Sequence, residues 1–431
     1  MKVLVIGAAV SGRAAARLLD SRGHQVIVYD RSDAAVEGVR AESRHSGAWD
    51  RQLLRGVDLV VVSPGVPEHA PPIADALAAG LTVWSEIELA SQSVDAPIGA
   101  VTATNGKTTV TEIAALCLQR SGLRSAAVGN IGDPLSDAVE REWDALVVEA
   151  SSFQLRFIET FHPTGAVLLN VAPDHLDWHG SLEAYTSAKQ RVFELQGPED
   201  VLVYDADDPG ASAAVQPAAS RRVPVSAARV PEGGAGVAGG VLTVPMSDGL
   251  LEVPVDGLWR SDGAMLVDLA AGAALAAHLG ATVQGAATAV AAYRPGRHRR
   301  ERVASVGGVT YVDDSKATNP HAAVAAIRSY PSVVLIAGGR AKGLDVSGLG
   351  DEPGVRHVVA IGEAAPAVLS GSAPGSRAAD MDEAVSMAAA VARPGDTVLL
   401  APGCASFDMF DSYGQRGDAF AAAVRRLTGA A

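Results

Sequence analysis

Lysine is nearly missing from this chain. Of the 35 lysines and arginines in 431 residues, the lysines are Lys2, Lys107, Lys189, Lys316 and Lys342. Arginine serves wherever any positive charge will do, and the compact ammonium, which can lose its proton and react, is kept for a few places. Aromatic residues are sparse too, at 4%. Two cysteines, Cys117 and Cys404, lie far apart. That excludes a disulfide framework and leads us to expect reduced thiols in a cytoplasmic protein. No apolar run approaches the ~20 residues of a membrane helix. The opening MKVLVIGAAVSG enters a strand-like run directly, without the cleavage region of a signal peptide. Basic charge is outweighed as well: the net charge of -14 argues against a nucleic-acid surface and for small soluble substrates.

What is plentiful is alanine, valine and leucine, within a hydrophobic share of 48%. Strand-like runs alternate with Ala-rich helical stretches almost throughout, the pattern of parallel sheets with crossover helices. VLVIG, QVIVYD, LVVVSPG and LTVW form a first set, and SQSVDAP closes it. IGAVTATNGKTT opens a second set, which continues through SAAVGN, ALVVEASS, GAVLLN and DVLVYD. VLTVPM and LLEVPVDG alternate enough to predict short strands within a Gly- and Pro-rich stretch. YRPGRHRRE marks another boundary, after which GVTYVDDS, SVVLIAGG, HVVAIG and DTVLLAPG make a third set. The expectation is an α/β protein of three domains: a Rossmann-like domain at 1–94, a central P-loop domain at 95–296 and a second Rossmann-like domain at 297–431.

Three segments carry chemistry. Gly7 to Gly12 follows a strand and approximates G-x-G-x-x-G, with Ala9 in place of the middle glycine and Asp30 closing the next strand. Such a turn binds phosphate through backbone N–H groups and the helix dipole, and alone suggests either a nicotinamide cofactor or no ligand at all. Ser63-Pro64-Gly65 ends another strand on the same carboxyl edge, where ligands collect. AVTATNGKTT is the second segment. The usual G-x-x-x-x-G-K-[ST] pattern wants a glycine where Val101 stands. A strand before it and a helix after it nevertheless favour a nucleotide loop. The N–H groups of Asn105 and Gly106 would face phosphate oxygens, Lys107 would reach the β/γ-phosphates and the Thr108 hydroxyl would ligate Mg²⁺. The third segment is a series of polar strand ends: Glu149 before Ala150-Ser151-Ser152, and His175 between Asp174 and Asp177, with Lys189 on the helix that follows.

T-x-T-N-G-K-T-T, E-x-S-S-F-Q-L, N-V-x-x-D-H-L-D, Y-x-x-A-K and D-S-K-A-T-N occur in this order. With them the chain resembles the ATP-dependent Mur ligases of peptidoglycan synthesis over nearly its full length. VDDSKATNP at 312–320 and CASFDMFDSYGQRG at 404–417 point to the branch that joins D-glutamate to UDP-N-acetylmuramoyl-L-alanine. The resemblance implies that Thr104, Asn105, Gly106, Lys107, Thr108, Thr109, Arg299 and Asp314 contact ATP. It implies two Mg²⁺ sites served by Thr108, Glu149 and His175, and catalytic roles for Lys107, Glu149, His175 and Lys189, the last as a carbamylated lysine. Val10, Ser11, Asp30, Ser63, Asn130 and Ser151 would hold the UDP-substrate. Thr318, Lys342, Ser406, Phe407 and Tyr413 would hold D-glutamate. A cytoplasmic monomer without nucleic-acid or membrane partners is expected.

Two departures stand out. Family loops read T-G-T-N-G-K-[ST], so Ala103 replaces a glycine, and somewhat weaker or slower nucleotide binding is expected. Where the family has H-N-x-x-N near adenine, this chain reads Ala264-Met265-Leu266-Val267-Asp268. A sister ligase adding L-glutamate or another amino acid remains the alternative. A folate-type synthetase is disfavoured by the first domain and the DDSKATN stretch. A nicotinamide dehydrogenase would leave the phosphate loop and the placed lysines unexplained.

Overall fold

A computed structural model of the chain describes residues 1–429. Twenty strands form three sheets among the described residues. The first comprises β1 (Lys2–Ile6), β2 (Gln25–Asp30), β3 (Ser43–Ser46), β4 (Leu59–Val62) and β5 (Thr82–Ser85), in the order β3-β2-β1-β4-β5. All its pairings are parallel. Runs such as VLVI and LVVV are buried along their length, as a parallel strand covered on both faces requires.

The second sheet contains β6 (Ile98–Thr102), β7 (Ser125–Gly129), β8 (Ala145–Glu149), β9 (Gly165–Leu168), β10 (Val201–Asp205), β11 (Arg221–Ser226), β12 (Ala235–Ala238), β13 (Val241–Met246) and β14 (Gly249–Pro254). Its order is β14-β13-β12-β11-β10-β9-β6-β8-β7. Strands β7 to β12 pair in parallel, and β12, β13 and β14 continue antiparallel. The short strands predicted from VLTVPM and LLEVPVDG are β13 and β14. Strand β6 lies between β9 and β8, so its carboxyl end opens inside the parallel part of the sheet, where ligands bind in such folds.

The third sheet holds β15 (Glu301–Val306), β16 (Val309–Asp313), β17 (Val333–Gly338), β18 (Val355–Ile361), β19 (Gly375–Arg377) and β20 (Thr397–Leu400), in the order β15-β16-β20-β17-β18-β19. Only the β15–β16 pairing is antiparallel among the described residues. The expected mixed α/β architecture is therefore what the chain forms.

The chain packs as two compact units: Met1–Val171 with Glu183–Tyr293, and Ala172–Leu182 with Arg294–Ala431. The first unit contains two sheets, and they share a core. Val3, Val5 and Leu19 of the first sheet layer join Ile87, Ala100, Leu146 and Leu168 in one buried cluster. The opposite face of the second sheet presents Val101, Val147, Val167 and Val203 to the helices Lys107–Arg120 and Gly263–His278. In the second unit the period-2 alternation of a strand is explicit. Val333, Leu335 and Ala337 of β17 face one layer, and Val334 and Ile336 face the other.

Candidate active site

The phosphate loop follows β6 and ends at Gly106, which caps the helix Lys107–Arg120 with φ 87°. Glycine is needed there twice over. The backbone is left-handed, and a Cβ would stand 2.5 Å from Asp268 Oδ1 and 2.8 Å from Leu169 Cδ2. Ala103 is not among the residues with positive φ, so its backbone imposes no such demand. Asn170, just beyond β9, fixes the loop. Its Oδ1 accepts from Asn105 N at 2.8 Å, its Nδ2 donates to Asn105 O at 3.0 Å, and its backbone carbonyl accepts from Thr104 N at 3.0 Å. Lys107 Nζ turns back on the loop, donating to the carbonyls of Ala103 at 2.8 Å and Thr104 at 3.0 Å. Thr109 is buried, and Thr108 is half-buried.

Glu149 ends β8 in register with Val101 of β6, which places it one strand from the loop. It is 2% exposed. Asn130 Nδ2 donates to its Oε1 at 2.8 Å, while Oε2 is buried without a hydrogen-bond partner. A buried carboxylate oxygen left in that state is costly unless a cation answers it. A hard oxygen donor of this kind, beside a loop built for phosphate, fits Mg²⁺. Lys189, on the helix Leu182–Gln190, is 1% exposed and donates to Ala103 O at 2.7 Å.

The residues expected to hold the UDP-substrate lie at the carboxyl ends of β1, β2 and β4 and, for Asn130 and Ser151, of β7 and β8. Asp30 Oδ2 accepts from Ala8 N at 2.8 Å and Oδ1 from Ser32 N at 2.9 Å, which shapes the Gly7 turn. Ser63 is buried, and its hydroxyl donates to Gly7 O at 3.0 Å. Val10 is 66% exposed, an unusual state for valine, and Ser11 beside it is half-buried. Ser151 caps the short helix Ser152–Leu155 in a capping box with Gln154.

In the second unit, His175 has φ 52° and Lys342 has φ 55°, a conformation rare for any residue with a Cβ. Strain of this kind is retained where surrounding structure enforces it, commonly at functional sites. Asp174 lies between these two residues in contacts. Its Oδ1 accepts from Lys342 Nζ at 2.8 Å and from His175 N at 2.9 Å, and its Oδ2 accepts from Asn319 Nδ2 at 2.9 Å. Burial pushes the Asp174 carboxyl up, but His175, Lys342 and Asn319 together hold it below the ordinary carboxylate range. Thr318 is half-buried, Ser406 is 2% exposed and Phe407 is 66% exposed. Tyr413 opens the helix Tyr413–Thr428, with Lys316 Nζ 3.9 Å from its ring centroid. Asp314 is buried and accepts from Arg300 N at 3.0 Å, and Arg299 is half-buried. Thr108 and Glu149 thus belong to the first unit and His175 to the second.

Family models match three stretches of the chain. The Mur ligase MurD-like N-terminal domain matches residues 1–85, the Mur ligase middle domain 101–229, and the Mur ligase glutamate ligase domain 298–404. The chain belongs to the Mur ligase family. The UDP-N-acetylmuramoylalanine--D-glutamate ligase of Frankia casuarinae is 44% identical, with 100% of this chain and 95% of that protein covered. Among solved structures, a pseudomurein peptide ligase type C from Methanothermus fervidus aligns with a TM-score of 0.62 at 17% identity, covering 99% of this chain and 100% of that one. A MurF ligase from Thermotoga maritima in complex with ADP aligns at 0.61 and 20% identity, covering 87% and 91%. These two show the shared fold.

Sequence reasoning gave no role to several residues that this Mur ligase uses structurally. Asn170 and Asp174 were within the N-V-x-x-D-H-L-D stretch, so their motif was visible and their contacts were not. Arg416 had no signal, because an arginine on an amphipathic helix reads as solvated. It is 1% exposed, and donates to Ser315 Oγ at 2.9 Å, Ser315 O at 2.9 Å and Cys404 O at 3.0 Å. It thereby fastens the DDSKATN and CASFD segments together. Burial lowers its pKa to about 10. His298 is buried with Nδ1 2.7 Å from Asp313 Oδ2, and a Cβ at Gly417 would meet that ring nitrogen at 2.2 Å.

Proposed function

We propose that the chain is an ATP-dependent ligase that adds D-glutamate to UDP-N-acetylmuramoyl-L-alanine in cytoplasmic peptidoglycan precursor synthesis. One observation carries this reading: the Asn170-braced phosphate loop beside buried Glu149, in a chain aligned end to end with a D-glutamate ligase. The γ-phosphoryl group of ATP passes to the alanyl carboxylate, giving an acyl phosphate and ADP. The neutral amine of D-glutamate attacks the carbonyl carbon, and the tetrahedral adduct loses a proton from nitrogen and expels phosphate to leave the amide.

Each step concentrates negative charge, so the chain must supply positive groups and fixed N–H donors. Lys107 and the N–H groups of residues 106–109 serve the phosphates, those of Thr104 and Asn105 being held by Asn170. Bound Mg²⁺ would neutralise phosphate oxygens and polarise the transferring group. Thr108 and Glu149 would hold one ion and His175 would help hold the other. Lys189 takes up CO₂: its neutral amine attacks the carbon, a proton is released, and the carbamate supplies an anion that arginine cannot. In the second unit Lys342, Thr318, Ser406, Phe407 and Tyr413 receive D-glutamate, and Arg299 and Asp314 serve ATP. Val10, Ser11, Asp30, Ser63, Asn130 and Ser151 take the UDP-substrate.

Phosphate release should require ATP, UDP-N-acetylmuramoyl-L-alanine and D-glutamate together. Equal or faster release with L-glutamate or another amino acid would replace this assignment with a sister ligase.

A further inference from the structure

Lys107 and Lys189 donate to one and the same carbonyl oxygen, that of Ala103, at 2.8 and 2.7 Å. Ala103 is fully buried. If residues 106–109 hold ATP, as proposed above, Lys107 has to give up its two loop carbonyls to reach the phosphates. The Ala103 carbonyl then keeps the donor that does not move. We infer that Lys189, with Tyr185, is a positioning residue for the phosphate loop: it keeps the Ala103 carbonyl hydrogen-bonded while Lys107 serves the nucleotide.

The helix Leu182–Gln190 is built for this. Tyr185 and Lys189 stand four residues apart and therefore on one face. Both are 1% exposed. Tyr185 Oη donates to Thr104 Oγ1 at 3.3 Å, so the two side chains brace consecutive loop residues. Lys189 Nζ also lies 4.4 Å from the Tyr185 ring centroid, a cation–π contact that holds the ammonium over the ring. A buried carbonyl that lost both lysines would carry its full desolvation cost in the nucleotide-bound state alone, which weakens binding. The bracing role survives carbamylation. Addition of CO₂ to the neutral amine with loss of one proton leaves one N–H, and that N–H can still donate to Ala103.

Lys189→Met keeps the buried stem and removes the donor. Calorimetry with ADP in buffer containing a chelator, and no divalent metal, isolates the loop from any metal-supporting role. Affinity should fall about tenfold, and added acetate should not restore it, because an anion supplies no donor. Weakening of less than about threefold in a folded Lys189→Met protein overturns the inference and leaves Lys189 acting through the metal alone. If circular dichroism shows that this variant does not fold, Tyr185→Phe decides by the same threshold. Wild-type protein that binds ADP yet shows no D-glutamate-dependent phosphate release would sink the ligase assignment and not the brace. Wild-type protein that binds no ADP would overturn the brace.

Discussion

Asp174 Oδ1 and Lys342 Nζ form an ion pair at 2.8 Å, with the two side chains 6% and 14% exposed. The lysine is held in a left-handed backbone and the carboxylate is also fixed by Asn319 and His175. A flexible four-carbon stem is thereby given one position, and the lysine assigned to D-glutamate is presented at a defined point. Asp174→Asn keeps an acceptor and removes the countercharge. We expect the KM for D-glutamate to rise about tenfold, less than the several kcal/mol that full loss of a buried charged partner costs because the amide keeps an acceptor, with the KM for ATP nearly unchanged. Steady-state kinetics varying each substrate in turn checks this. Equal rises in both constants would mean that the pair supports folding only.

The layers of this protein were legible because they follow from side-chain period. Runs such as VLVI and ALVVE, short and bounded by turn residues, read as strands buried on both faces, and GKTT after one of them reads as a helix start at a strand's carboxyl end. What escaped the sequence is what depends on three-dimensional partners. Asp174 sits in D-H-L-D with nothing in the sequence to pair it with Lys342, 168 residues away, which holds it. Ser63 and Ser151 are expected at the UDP-substrate, and the sequence does not show that one also donates to Gly7 O and the other caps a helix. A missing glycine matters only where φ is positive or space is closed, and Gly106, not Ala103, is the position with both constraints.

The carbamate assigned to Lys189 makes a separate prediction about turnover. Lys189→Ala should lose most activity, on the order of a hundredfold or more if transition-state charge stabilisation is lost. Short-chain carboxylic acids should restore part of it by placing an anion near the metal. Lys189→Arg should not be active, since guanidinium does not add CO₂ under these conditions. Full activity in Lys189→Arg would rule out the carbamate.

Glu86 gives the stability of the first unit a pH dependence. It is 1% exposed; Oε1 accepts from Ser136 N at 2.6 Å, and Oε2 has no hydrogen-bond partner. Burial raises its pKa to about 7, with the bonds from Ser136 opposing and the charge of Asp137 adding to the rise. The folded protein therefore retains a proton that the unfolded chain releases near pH 4.3. Stability from this group is full below that pH and is lost as pH rises through about 7. The loss is on the order of 3 kcal/mol. Thermal melts between pH 5 and 8 should show a declining Tm in the wild type and a flatter profile in Glu86→Gln. Parallel profiles would mean that another group sets the dependence.

Met265 and Asp268 stand where the family pattern has its adenine-side asparagines. Asp268 is buried on the helix Gly263–His278, and its Oδ1 occupies the space a side chain at Gly106 would need, so the carboxylate lies against the phosphate loop. The family pattern places an asparagine at this position. An asparagine amide can donate to adenine N7 while accepting from the N6 amine, whereas a carboxylate only accepts. On that edge guanine presents acceptors at both N7 and O6, so a carboxylate costs adenine one of two contacts and offers guanine none. We expect the wild type to favour ATP over GTP in kcat/KM. Asp268→Asn should raise kcat/KM for ATP about tenfold, the worth of roughly one restored base contact. Both nucleotides measured on the two proteins under the same Mg²⁺ concentration settle the matter. A kcat/KM for ATP unchanged by Asp268→Asn would place base recognition on other residues.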